Sequence, residues 1–308
     1  MKIRLAVLSL AVFAAFAFAQ ISYPTATFLK ALGAPPNATQ FTYKGAEVTV
    51  EELGGYLYKV HYKGPKDDYE TAAEVIAAAI GNPGIKQPFI DWIKKNQAKL
   101  DSMPKPVTVG LDRAYFLVIE DGEGLVFRVI PYEVDPKAFG EEGHVMGKGG
   151  VVIREYSDFQ CPYCKRFQQE ILPELEKRYI ETGRARFEFN HFPLTSIHQE
   201  ALNAAIASEC AADQGAFWAY HDEVFQKGAG NYEQKARDLK LDLPRFNACI
   251  ASDEARQRAL ADRQEAIDLG LNGTPSVFVG PFLLPNPFDL NAYERYLAMA
   301  EALQKQER

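Results

Sequence analysis

Apolar side chains recur along this chain with different periods, and the switches between those periods divide it. From Leu5 to Ala19 the run is small and apolar throughout except for Ser9. Short strands and helices then alternate. Thr27 to Leu32 is a brief apolar run framed by Pro24, Pro35 and Pro36, and Phe41 to Val50 alternates partially around Lys44-Gly45, as a strand or small hairpin does. Tyr56, Tyr58, Val60 and Tyr62 alternate with Leu57, Lys59 and His61, which predicts one strand with an aromatic face. Asp67 or Asp68 is placed to cap a helix through Ala72, Val75, Ile76 and Ile80 that stops at Gly81-Asn82-Pro83-Gly84. Pro88 opens a second helix, with Phe89, Ile90, Trp92, Ile93 and Leu100 on its apolar side. Ala114 to Ile119 and Leu125 to Ile130, joined by an acidic loop containing glycine, predict a β-hairpin.

Glycines at 140, 143, 147, 149 and 150 with few apolar neighbours mark a linker over 140–150. His144 and Met146 fall inside it; two donors with no cysteine close by in sequence make a weak metal site. Val151 to Phe159 reads as a buried strand, and Pro162 to Ile180 as a helix that the interior Pro173 bends or splits. Ala185, Phe187 and Phe189 alternate with polar residues, giving a second strand, parallel to the first across a right-handed crossover. A helical block follows over about 196–269, then a short apolar strand, Ser276 to Gly280, and a terminal helix capped by Asp289. The layout is α/β, with residues 20–139 as a separate small α+β domain, 140–150 as linker and 151–308 as the second domain.

The N-terminus changes where this chain is expected to work. Basic Lys2 and Arg4, the apolar run and Ala17-Phe18-Ala19 before Gln20 form a secretory signal peptide over residues 1–19, against the alternative of a retained anchor. Its removal places the remainder outside the cytosol, in the periplasm or another extracytoplasmic space, where disulfides persist. It also takes the formal charge of −7 to −9, because Lys2 and Arg4 are the charged residues of the segment. With no long basic cluster, nucleic acid is not an expected partner, and with no other long apolar run the mature chain is expected to be soluble. Nothing in the sequence fixes an oligomeric state.

The chemistry centres on Cys161-Pro162-Tyr163-Cys164, at the junction of a strand and a helix. Pro162 suits a first-turn position because it has no N–H to lose, and the first-turn amides and helix dipole favour a thiolate on Cys161. Cys164, one turn on, is then placed to resolve a mixed disulfide formed by Cys161. Such a pair can also be half of a four-cysteine zinc site or an inert disulfide; no second such pair exists here, and the strand-to-helix setting favours redox chemistry. Glu155, six residues before Cys161, is either an outward surface carboxylate or a buried one. Cys210 and Cys249 complete an even cysteine count, either as a second disulfide or as two buried thiols. No cofactor and no metal are expected, since His and acidic residues do not cluster in sequence.

From about Val151 to Leu303 the chain resembles the secreted DsbA-like thiol–disulfide oxidoreductases, which have a thioredoxin-like fold with a helical insertion. The resemblance rests on Glu155-Tyr156-Ser157-Asp158-Phe159 before Cys161, on His191-Phe192-Pro193-Leu194, on the Ala-rich helix with Cys210, and on Gly273-Thr274-Pro275 before Val277-Phe278-Val279-Gly280. It implies that Cys161 is the exposed nucleophilic thiol and Cys164 the resolving one. It further implies that Thr274-Pro275 is a cis dipeptide facing the pair and holding substrate, with Pro162 and Tyr163 tuning and contacting it. Glu155 would be a buried proton relay, and Cys210–Cys249 a bridge in the helical insert. His221 would be a packing residue of the helical insert; from its place at the start of the Ala-rich helix His198 reads as a capping or core residue, and His191, after the second strand, is not assigned a catalytic role. The implied activity is disulfide exchange with exported cysteine-containing proteins, most simply as an oxidase recharged by a membrane redox partner. The alternatives are an isomerase or reductase kept reduced by a membrane donor, and a redox-linked chaperone or client-binding protein.

Overall fold

A computed structural model describes residues 8–9, 24–111 and 115–306. The expected leader, 1–19, lies outside the described residues apart from a two-residue strand, β1 (Leu8–Ser9). Among the described residues no helix is long and apolar enough to cross a membrane. The chain divides into two compact units, one made of residues up to Glu133 together with Phe282–Arg308, the other of Val134–Pro281.

The first unit contains helix α1 (Thr25–Ala31), strands β2 (Gln40–Tyr43), β3 (Ala46–Leu53) and β4 (Tyr56–Gly64), and helices α2 (Tyr69–Ala79) and α3 (Lys86–Ser102). Strands β5 (Val107–Gly110), β6 (Tyr115–Ile119) and β7 (Leu125–Pro131) follow. They form a seven-stranded sheet in the order β1-β5-β6-β7-β4-β3-β2. Its core joins Val48, Val60, Phe127 and Leu117 from the strands to Phe28, Ile76 and Phe89 from the three helices. Asp68 caps α2 as its position predicts, accepting from the Thr71 amide at 3.1 Å.

The alternation read through Tyr56, Tyr58, Val60 and Tyr62 breaks at a bulge. Glu51 pairs with Lys59 and Glu52 with Leu57, so Tyr58 is the extra residue. The phase slips there by one, and Leu57 rather than Tyr58 is buried beside Val60 and Tyr62. This shift is invisible in the side-chain pattern because both candidates are large and apolar.

The second unit contains strands β8 (His144–Met146) and β9 (Val151–Ser157), helices α4 (Pro162–Glu170) and α5 (Leu172–Leu175), a π-turn over Glu176–Ile180, and strand β10 (Ala185–His191). Five helices follow, α6 (Ala201–Ala212), α7 (Phe217–Lys227), α8 (Tyr232–Asp238), α9 (Leu243–Ile250) and α10 (Asp253–Asp268), then strand β11 (Ser276–Val279). The strands lie in the order β11-β9-β10-β8. β9 and β10 are parallel, and β11 and β8 run antiparallel to their neighbours. This is the thioredoxin-like sheet with its helical insertion. Pro173 splits the crossover helix at Ile171, as a residue without an amide hydrogen must.

Two expected boundaries are corrected. Residues 140–150 are not all linker, because His144–Met146 pairs with Phe189, Glu188 and Phe187 as an edge strand. Three residues between glycines are too few to show a period, and Gly150 is required by packing: at φ +64°, a β-carbon there would lie 2.0 Å from the Arg184 carbonyl oxygen. The terminal helix α11 (Leu290–Gln306) does not group with residues 151–281 but with the first unit. Gly54, at φ +62° in the β3–β4 turn, has room for hydrogen only, since a β-carbon would meet the Ala298 carbonyl oxygen at 2.4 Å. Tyr296 meets Tyr115 hydroxyl to hydroxyl at 3.0 Å.

Candidate active site

Strand β9 leads into the cysteine pair. After Ser157 the chain turns, the Cys161 amide donating to the Asp158 carbonyl at 3.0 Å, and α4 begins with Cys161 as its N-cap and Pro162 in the first turn. Tyr163 is exposed, at 60 %. Cys164 is fully buried and Cys161 is 5 % exposed, less than the open thiol the resemblance implies. The cover over Cys161 comes from the β11 approach, where the Thr274–Pro275 bond is cis and the Cys161 thiol donates to the Thr274 carbonyl at 3.5 Å.

The two thiols have opposite electrostatics. The hydrogen bond from Cys164, the Thr274 side chain and the amides of Cys164 and Tyr163 lower the Cys161 thiol to about 5, against the opposing effect of burial. Burial raises Cys164 well above a normal thiol, and the neighbouring Cys161 and Glu155 push it the same way. The Thr274 hydroxyl is buried and makes no hydrogen bond to any other group, so its donor is directed at the Cys161 sulfur alone.

Glu155 is fully buried, one of its carboxylate oxygens accepting from Gln168 Nε2 at 2.7 Å. Burial raises it to about 8, with Ser157 and Gln168 pulling it partly back and the charge of Cys161 adding to the rise. The outward-facing alternative for this residue is thereby removed. Its other carboxylate oxygen and the Ser157 hydroxyl are also buried.

Asp158 is the site residue that sequence reasoning passed over. Its buried carboxylate accepts from the Gln160 amide at 2.7 Å, from the Leu194 amide at 2.8 Å and from His198 Nδ1 at 2.8 Å, while its own amide donates to Cys164 Sγ at 3.4 Å. It thus ties the strand-to-helix turn to the segment after β10. His198 stands before α6 and pairs with Asp158 instead of capping that helix. The signal available in sequence was an Asp three residues before the first cysteine, an Asx-turn residue at the end of an apolar strand. Away from the thiols, Cys210 and Cys249 are bonded to each other, joining α6 to α9, and His221 is buried among aromatic rings, 4.9 Å from Phe189.

A match to a protein-family model agrees with this architecture. A family model described as Thioredoxin matches residues 141–298, just over half of the chain. The Na(+)/H(+) antiporter NhaA 3 of Salinispora tropica is 32% identical over 176 residues, covering 55% of this chain and 26% of the antiporter. The probable disulfide bond formation protein D of Bacillus anthracis is 29% identical over 150 residues, covering 45% of this chain and 69% of that protein. Among solved structures, oxidised BdbD from Bacillus subtilis superposes with a TM-score of 0.47 at 21% identity, covering 54% of this chain and 96% of BdbD. The chain spans about a quarter of the length of the antiporter it matches. With the family match covering just over half of the chain, including the whole β8–β11 sheet and the cysteine pair at the start of α4, the chain belongs to the thioredoxin family.

Proposed function

We propose that this chain is a thiol–disulfide oxidoreductase that oxidises cysteine pairs in exported proteins through Cys161 and Cys164. The observation that carries the reading is the asymmetry of the two thiols, one stabilised as a thiolate at the helix start and the other buried and protonated. In the oxidised enzyme a substrate thiolate attacks Cys161 Sγ, the Cys161–Cys164 bond breaks, and the electron pair leaves on Cys164. Glu155, protonated at neutral pH by virtue of its burial, is the proton source for that sulfur. A second substrate thiolate then attacks the substrate sulfur of the mixed disulfide, forming the substrate disulfide and releasing Cys161 as a thiolate. A stabilised Cys161 thiolate is a good leaving group, which drives the exchange toward substrate oxidation.

Thr274 and Pro275 cover Cys161 on the side where an extended client segment would lie, and exposed Tyr163 offers that segment an apolar surface. The probable disulfide bond formation protein D among its relatives supports the same activity. In this reading the chain acts outside the cytosol after its leader is removed, and a membrane redox partner reoxidises it. The test is the reduction potential, measured together with refolding of a scrambled disulfide substrate. A potential near the about −120 mV of a strong oxidant supports an oxidase. One far below the about −180 mV of protein disulfide isomerase overturns that direction in favour of an isomerase or reductase.

A further inference from the structure

A second polar cluster lies outside the redox pair. His144 on β8, His191 at the end of β10 and Glu209 on α6 aim one atom each at a common point, and these atoms all lie within 4.8 Å of one another. His144 Nε2 is 2.7 Å and His191 Nε2 3.1 Å from the same oxygen, Glu209 Oε1. His191 and Glu209 are buried and His144 is partly exposed. We propose that the three side chains form a binding site for a first-row transition-metal dication such as Zn²⁺, independent of the thiol chemistry.

Several features beyond proximity support this. Two imidazole nitrogens and a carboxylate oxygen are a donor set suited to zinc, nickel, copper and iron, and not to calcium or magnesium. Donors at about 2.0–2.2 Å from a tetrahedral metal stand roughly 3–4 Å apart, so the observed spacings require only small side-chain shifts. The supporting contacts of a metal site are in place. Arg258 Nε holds the other Glu209 oxygen at 2.7 Å, and Asp213, 3.0 Å from the same guanidinium, offsets its charge. The Phe217 ring stacks on His144 at 3.4 Å and fixes its plane. Ser208 Oγ, 3.4 Å from His191 Nε2, and solvent on the His144 side are available for the fourth position. Both Nε2 atoms now direct a proton at Glu209, so binding shifts each neutral imidazole to the Nδ1–H tautomer and frees Nε2 for the metal.

The competing account is a closed hydrogen-bond network that binds nothing, and one experiment separates the two. The full chain carrying Cys161→Ser and Cys164→Ser, so that the thiols cannot ligate, is stripped with chelator and titrated calorimetrically with Zn²⁺. One equivalent is expected to bind, with affinity at least about tenfold weaker in His144→Ala and in Glu209→Gln. Co²⁺ added to the same protein with all five histidines intact provides a readout that does not depend on how those variants fold. The imidazole resonances of His144 and His191 should broaden before those of His61, His198 and His221. Absence of stoichiometric binding, binding untouched by both substitutions, or broadening centred on other histidines would overturn the site.

Discussion

The two units are built from similar parts, a twisted sheet with helices against it, yet they treat buried polarity in opposite ways. Among the described residues the only buried polar side chains of the first unit, tyrosines aside, are Thr25 and Thr71. The second unit buries Arg154, Glu155, Ser157, Asp158, Glu188, Asn190, His191, Ser208, Glu209, His221, Lys235 and Ser276. Burying ionisable groups costs several kcal/mol each unless they are paired. Most of those in the second unit are paired, Arg154 and Glu188 facing each other across β9 and β10 at 2.7 and 2.9 Å. The first unit therefore has the core of a scaffold, and the second holds polar groups where chemistry can use them.

Substitutions can break this contrast, and the largest effect is expected at the thiols. Cys161→Ser should abolish turnover, and Cys164→Ser should accumulate mixed disulfides with client proteins, visible on non-reducing gels; full activity and no adducts in both would remove the mechanism. Next comes Asp158→Ala, which strands the His198 imidazole and the amides of Gln160 and Leu194. A loss of about 3–5 kcal/mol in urea unfolding is expected, with Asp158→Asn recovering part of it. A loss below about 1 kcal/mol would mean that the carboxylate does not hold the turn together.

Glu155→Gln should separate chemistry from stability. Thiol exchange should slow by roughly 10²-fold, the scale of a lost proton donor. The stability change has the opposite sign. Because burial raises the Glu155 carboxyl from 4.5 to about 8, the folded state is penalised progressively as pH climbs between those values. The variant should match the parent near pH 4 and exceed it near pH 8. A parent-like pH dependence would show that Glu155 is not buried in solution.

The depressed Cys161 thiol gives a further pH signature. Its contribution to the reduced folded state is full above pH 9 and is lost as pH falls through about 5, so the excess stability of the reduced over the oxidised form should shrink there. The reduction potential should accordingly change by about 60 mV per pH unit below that point and about 30 mV above it. The smallest effect is expected in the apolar unit, where Ile76→Val should cost about 1 kcal/mol and leave the potential unchanged. A shifted potential in that variant would contradict the division of labour between the units.

What can be read from sequence is what local spacing encodes. Cys161 and Cys164 three apart after an apolar strand, Pro162 in a first turn, Pro173 splitting a helix and Asp68 capping another are all set by neighbours within a few residues, so the sequence alone determined them. The thioredoxin-like layout of the second half followed from the order of such segments. Long-range placement did not. Asp158 gains its role from Leu194 and His198, more than thirty positions away, and Tyr58 loses its inward place to a bulge set by strand pairing. The terminal helix joins the first unit because Gly54 leaves room for Ala298. His144 looked like a residue of a glycine-rich linker. Only the pairing of β8 with β10 and the docking of α6 set its imidazole beside His191 and Glu209, because side chains 47 and 65 positions from His144 share a site only once the backbone between them is folded.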